Sequence, residues 1–133
     1  MRSVPIALCA AVPLLAYALH AHAHHSFSAE FDIDKPITLI GTVTSVEWKN
    51  PHTWFYLDVK DAAGNVTNWG LELATPNLLV RNGWTKSTLK AGDAVTVEGY
   101  AAKDGKSIGN ARTIVIKATG QRLVAGSSAG SGQ

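Results

Sequence analysis

The residues of this chain best suited to chemistry are histidines, and their setting gives them unusual potential. His24 and His25 follow a segment laid out like an export signal, and His52 stands further along the chain. Arg2 supplies a positive start, Val4 to Leu19 carry no charge, and Ala21-His22-Ala23 offers the small-x-small pattern that a signal peptidase reads. Cleavage after Ala23 makes His24 the amino terminus. A free α-amine titrates near pH 7.7 to 8.0 and an imidazole near 6.5, so one residue then offers two nitrogen ligands close to neutrality. With His25 and His52 this is a nitrogen-rich set of the kind Cu(II) takes, copper standing at the top of the divalent affinity order. A cut after Ala21 would instead expose His22-Ala23-His24, which also suits Cu(II). The cofactor expectation is therefore copper or none. Zinc is disfavoured, because a closed zinc site takes four protein ligands and Cys9, the one cysteine, leaves with the signal.

A second set of residues belongs to the strand that follows His52. Alternation from Thr53 to Lys60 puts Thr53, Phe55, Leu57 and Val59 on one face and Trp54, Tyr56 and Asp58 on the other. The turn Asp61-Ala62-Ala63-Gly64-Asn65 leads into a partner strand over residues 66–74. There Thr67, Trp69, Leu71 and Leu73 share the side of Phe55, while Asn68, Gly70 and Glu72 face away. The resulting register opposes Tyr56 to Gly70 and Trp54 to Glu72, with His52 diagonal to Glu72 at about 7 to 8 Å. Trp54, Tyr56 and Glu72 then form a candidate ligand face. In a second arrangement residues 24–34 fold back, and Phe27 and Phe31 pack on Trp54 and Tyr56.

The elements that must position these residues are mostly strands. An extended, acidic arm over residues 24–36 precedes a first strand over 37–48. Its apolar parity runs odd at Ile37, Leu39 and Val43 and even at Val46 and Trp48, a phase change that predicts a bulge near Thr44. Thr75 as N-cap, Pro76 at the first helical position and Gly83 as stop predict a short helix over 76–82. Strands follow over 94–102 and 111–117, joined by Lys103-Asp104-Gly105-Lys106. The order β-β-β-α-β-β predicts an all-β domain with one short helix, an OB-fold-like, five-stranded, partly open barrel over 37–123. An open antiparallel β-sandwich is the alternative. Residues 124–133, small and Gly/Ser-rich, read as a disordered tail.

Several strings bring in a resemblance. His24-His25-Ser26-Phe27, Glu30-Phe31-Asp32, Gly41-Thr42-Val43, Glu47-Trp48, Asn50-Pro51-His52, Pro76-Asn77, Gly83-Trp84 and Gly92-Asp93 look like a domain-of-unknown-function family of small secreted bacterial proteins. The similarity runs along almost the whole chain after residue 23. It implies export and a single compact β domain, and it transfers no activity and no catalytic residue.

Composition narrows the functional classes further. Across 133 residues, 12 Lys and Arg stand against 10 Asp and Glu, and no basic run occurs. Nucleic-acid binding is not expected, because such proteins concentrate cations to displace counterions from phosphates. The apolar run at the start holds Pro5 and Pro13 and is short for a bilayer span, so no membrane span is expected after cleavage. Catalysis is not expected either. Ser26, His25 and Asp32 are neighbours on an extended segment, which does not build a nucleophile and its base. Glu47, Asp58 and Glu72 read as surface carboxylates, and Gly105 and Gly109 read as hairpin residues with no phosphate-cradling motif. The reading is a periplasmic or secreted binding module using copper through His24, His25 and His52. The alternative is a metal-free scaffold or accessory domain that recognises an envelope protein, a saccharide or another small ligand through Trp54, Tyr56 and Glu72.

Overall fold

Strand β1 (Phe31–Glu47) is 17 residues long and serves two neighbours in turn. The computed structural model describes residues 27–126. From Pro36 to Thr42, β1 pairs antiparallel with β4 (Ala94–Ala102), and from Gly41 to Glu47 it pairs antiparallel with β2 (Trp54–Lys60). Where the two pairings overlap, the backbones crowd together. A Cβ at Gly41 would run into the Asp58 carbonyl, so only glycine permits the approach. The register slips between Val43 and Ser45, placing a bulge at Thr44, where the change of apolar parity predicts one.

The β2–β3 hairpin, with β3 spanning Val66–Glu72, has the expected register, Trp54 opposite Glu72 and Tyr56 opposite Gly70. Helix α2 (Pro76–Arg81) starts as the sequence predicts: the Thr75 side chain accepts the Leu78 N–H at 3.2 Å, and Pro76 opens the first turn. Strand β5 (Ile108–Ile116) lies antiparallel to β4 and, through Gly70 to Glu72, parallel to β3. The sheet order β3-β2-β1-β4-β5-β6, with the extra β3–β5 pairing, brings β1 to β5 into a partly closed ring. This is the OB-fold-like, mostly β arrangement with one short helix; the pairing is that of one sheet, not the two of the alternative sandwich.

The interior holds Val43, Phe55, Leu57, Leu71, Leu73, Leu79, Val95, Val97 and Ile114, all essentially inaccessible. Period-2 alternation sends the strand side chains among them inward and α2 adds Leu79, each contributing about 1.5–3 kcal/mol by leaving water.

The structure departs from the sequence reading at four places. The arm is not uniformly extended: residues Phe27–Glu30 form a single turn, α1, and β1 begins six residues before Ile37. Pro36 lacks an N–H for the ladder, and the pairing with β4 skips between Phe31 and Pro36, so that strand continuity hides behind a local irregularity. Trp69 is half-buried, near the open end of the hairpin. Gly109 belongs to β5, because that strand starts three residues early to meet β3. Finally, the ordered chain passes Leu123. Residues Arg122–Val124 form a sixth strand, β6, and the buried Ala125 donates its N–H to Arg112 and accepts that of Ala74. The expected leader, its cleavage point, His24 and His25, and the tail from residue 127 lie outside the described residues.

Candidate functional site

His52 sits just before β2, where the ladder with β3 already operates: Thr53 donates to Ala74 at 3.1 Å and Leu73 donates to Thr53 at 2.8 Å. Thr53 is fully buried on the inner side, so alternation turns His52 and Trp54 outward. The outward row continues sideways through the ladders. Trp54 pairs with Glu72, Glu72 with Asn110, Asn110 with Tyr100, and Tyr100 with Pro36. Laterally paired residues project to the same side, and this row therefore brings residues from five strands together.

At its centre lies Glu72, expected on the surface and found only 6% exposed. The correction has a physical reason: parity sets the face, but burial depends on what covers the face, and here β5 and the N-terminal turn crowd the carboxylate. One oxygen, Glu72 Oε1, meets His52 Nδ1 at 3.0 Å and accepts Asn110 Nδ2 at 3.4 Å. Asn110 is itself buried. Burial pushes the Glu72 carboxyl above its ordinary range; His52 and Asn110 pull it back, and the nearby Glu30 carboxylate pushes it further up. With Glu72 ionised, His52 Nδ1 must carry the proton in this contact, so a neutral ring presents its lone pair at Nε2. Nε2 has no partner among the described residues, and the imidazole remains about one quarter exposed, at 26%.

The arm is fastened to the same face by its own contacts. Phe27 meets Tyr100 edge-on at 5.6 Å between centroids and Phe31 at 5.6 Å with a 33° tilt. Phe31 is 2% exposed, although it stands apart from the main core cluster. Lys103 donates its backbone N–H to Glu30 and its ammonium to the Ser28 carbonyl. Residues 24–34 were expected to fold back with Phe27 and Phe31 on Trp54 and Tyr56. Among the described residues the arm instead lies along β4, since the strand pairing of Phe31 with Ala102 carries it there, and Phe27 meets Tyr100.

Trp54 and Tyr56 are half-buried and lean over Gly70, close enough to touch a side chain there. A Cβ there would lie 3.5 Å from Tyr56 Cε1 and 3.8 Å from Trp54 Cζ3.

The structure thus brings His52 and Glu72 into direct contact and places Trp54 and Tyr56 beside them. His24 and His25 fall outside the described residues. Among the described residues, no group of three or more His, Cys, Asp or Glu side chains is gathered as a metal site. Sequence reasoning missed Asn110, Tyr100 and Glu30. A sign of Asn110 existed: it is the one polar residue between Gly109 and Ala111, in a run otherwise small and inward-facing.

The model of a family of unknown function (DUF6152) matches residues 11–111, which include every member of this row. Comparison with curated proteins gives no match, and comparison with solved structures gives none.

Proposed function

The chain belongs to DUF6152, a family of unknown function, and from that premise we propose that it is an exported copper-binding module. Its ligands are the His24 amine and imidazole, His25, and His52 through Nε2. The supporting observation is the His52–Glu72–Asn110 relay. A carboxylate holding one ring nitrogen, itself held by an amide, is the arrangement that fixes an imidazole for a metal at its other nitrogen. Only two residues separate His24 from Phe27, and Phe27 is anchored on Tyr100, two ladder steps from Glu72. A short arm tethered there has the reach to bring an amino-terminal nitrogen to His52.

Export follows from the leader that the sequence predicts. Among the described residues no helix is long and apolar enough to cross a membrane. On this view the periplasmic product begins at His24, an outcome that intact mass measures directly.

The test of the metal site compares three Cu(II) titrations, monitored by electron paramagnetic resonance. These use the protein starting at His24, the same protein with one glycine added ahead of His24, and a peptide of its first six residues. The added glycine converts the free amine to an amide and should weaken binding strongly. Glu72→Ala, which removes the partner that orients His52, should weaken it about 10- to 100-fold, and His52→Ala at least as much. Equal affinity in peptide and protein, with an unchanged spectrum, would remove the fold from the site and end the proposal.

A further inference from the structure

We propose that the outward face of β2 and β3 is a docking surface for a neutral glycan, with pyranose rings stacking on Trp54 and Tyr56. This inference stands independently of the metal reading. It begins from Gly70. Both rings lean over its backbone side by side: a Cβ there would lie in ordinary van der Waals contact with each, 3.5 Å from Tyr56 Cε1 and 3.8 Å from Trp54 Cζ3. Alternate residues on a strand are about 6.6 to 6.8 Å apart. Two ring systems at that spacing make a broad floor of aromatic carbon at which both side chains remain partly accessible.

The rim selects the occupant. Asp58 accepts from Asn68 at 2.8 Å through Oδ1, while its Oδ2 has no partner among the described residues. Asn68 also reaches Thr44 Oγ1 at 3.4 Å. Along the other border Lys49 is bonded to Glu47. Carboxylate, amide and hydroxyl groups beside an aromatic floor match a ligand that presents C–H faces and hydroxyl edges, which is what a sugar ring presents. Charge rules against the other polymer that aromatic floors accept. Stacking tolerates any base, but binding a phosphate chain needs a cationic track. Here Lys49 is neutralised by Glu47, and Asp58 and Glu72 add negative charge.

The experiment uses metal-free protein beginning at His24, so that loss of glycan binding and loss of copper binding are separate readings. Native gels containing soluble β-glucan, xylan, mannan or dextran should retard it in at least one case, with a concentration-dependent change in tryptophan emission. Trp54→Ala and Tyr56→Ala should each lower that affinity at least fivefold. Trp54→Leu keeps apolar cover on the sheet but removes the ring, and should lose binding equally while the circular dichroism stays native. Val66→Ala, on an exposed side chain at the far end of β3, should change nothing. Retardation by none of the four polysaccharides overturns the proposal, as does full binding by Trp54→Leu. Tighter binding to single-stranded oligonucleotide than to any glycan overturns it too.

Discussion

Two carboxylate–amide pairs stand on the same outward face of the β2–β3 hairpin, and they live in different surroundings. Asp58 and Asn68 meet at 2.8 Å near the exposed hairpin loop. Glu72 and Asn110 meet at 3.4 Å where β3 joins β5, with Glu72 6% and Asn110 2% exposed. The side-chain chemistry is nearly the same. The difference lies in the lid: the first pair has β1 beside it, with Thr44 at 3.4 Å from Asn68, and otherwise lies open near the loop, whereas β5, His52 and Glu30 of the α1 turn lie around the second. Removing a carboxylate from water is costly unless it is paired and hydrogen-bonded. Glu72 is retained under those conditions, and His52 gains a fixed orientation from it.

The largest effect should come from the wall beneath the closed end. Leu71 is fully buried between Gly70 and Glu72, and Leu71→Ala should cost about 2 to 5 kcal/mol by chemical denaturation. A midpoint that hardly moves would mean the floor under Glu72 is not tightly packed, and the contrast between the two pairs would lose its basis. Next in size is Glu72→Ala, which leaves the His52 and Asn110 donors without their shared acceptor. It should destabilise by about 1 to 3 kcal/mol. The same change at Asp58 leaves groups that water can reach.

How much of this contrast was legible in the sequence depends on the range of the forces involved. Strand periodicity is local, so Phe55, Leu57, Leu71 and Leu73 were correctly placed on one face, which is the inside, and the hairpin register correctly set Trp54 against Glu72. The bulge at Thr44 was readable for the same reason, as a slip in parity. The burial of Glu72 was not readable, because it arises from the parallel contact with β5, from a residue 38 positions away. The landing place of the arm was equally non-local: the sequence pointed Phe27 and Phe31 to Trp54 and Tyr56, whereas Phe27 meets Tyr100 on β4. Strand β6 escaped notice because three residues carry little periodic signal. Its pairing with Thr113 to Val115 of β5, and the bonds of the following Ala125 to Arg112 and Ala74, decide its place.

A pH titration separates the pairs next. The folded state raises the Glu72 pKa, chiefly by burial, so the native protein binds a proton where the unfolded chain has begun to release it. Stability contributed by this group is present below the ordinary carboxylate value and is lost as pH rises through the raised one. Glu72→Gln removes that proton equilibrium while keeping an acceptor for His52. The stability gap between wild type and Glu72→Gln should therefore move in favour of the glutamine variant as pH climbs from about 4 into the range above it. A gap independent of pH would show that His52 and Asn110 fully offset the burial of the charge.

The smallest effect is assigned to the open pair, and it is the one that isolates burial from chemistry. Asp58→Ala deletes a contact shorter than the one between Glu72 and Asn110. If short distance governed, this change would be the costlier of the two alanine substitutions. Water, however, can take the place of Asp58 at the Asn68 amide, and surface substitutions of this kind stay within about 0.5 kcal/mol. Equilibrium denaturation of both alanine variants under one buffer gives the comparison directly. An Asp58→Ala loss as large as that of Glu72→Ala would show that the hairpin's open end is shielded in solution, by the chain itself or by a second molecule. The contrast drawn between the two pairs would then fail at its premise.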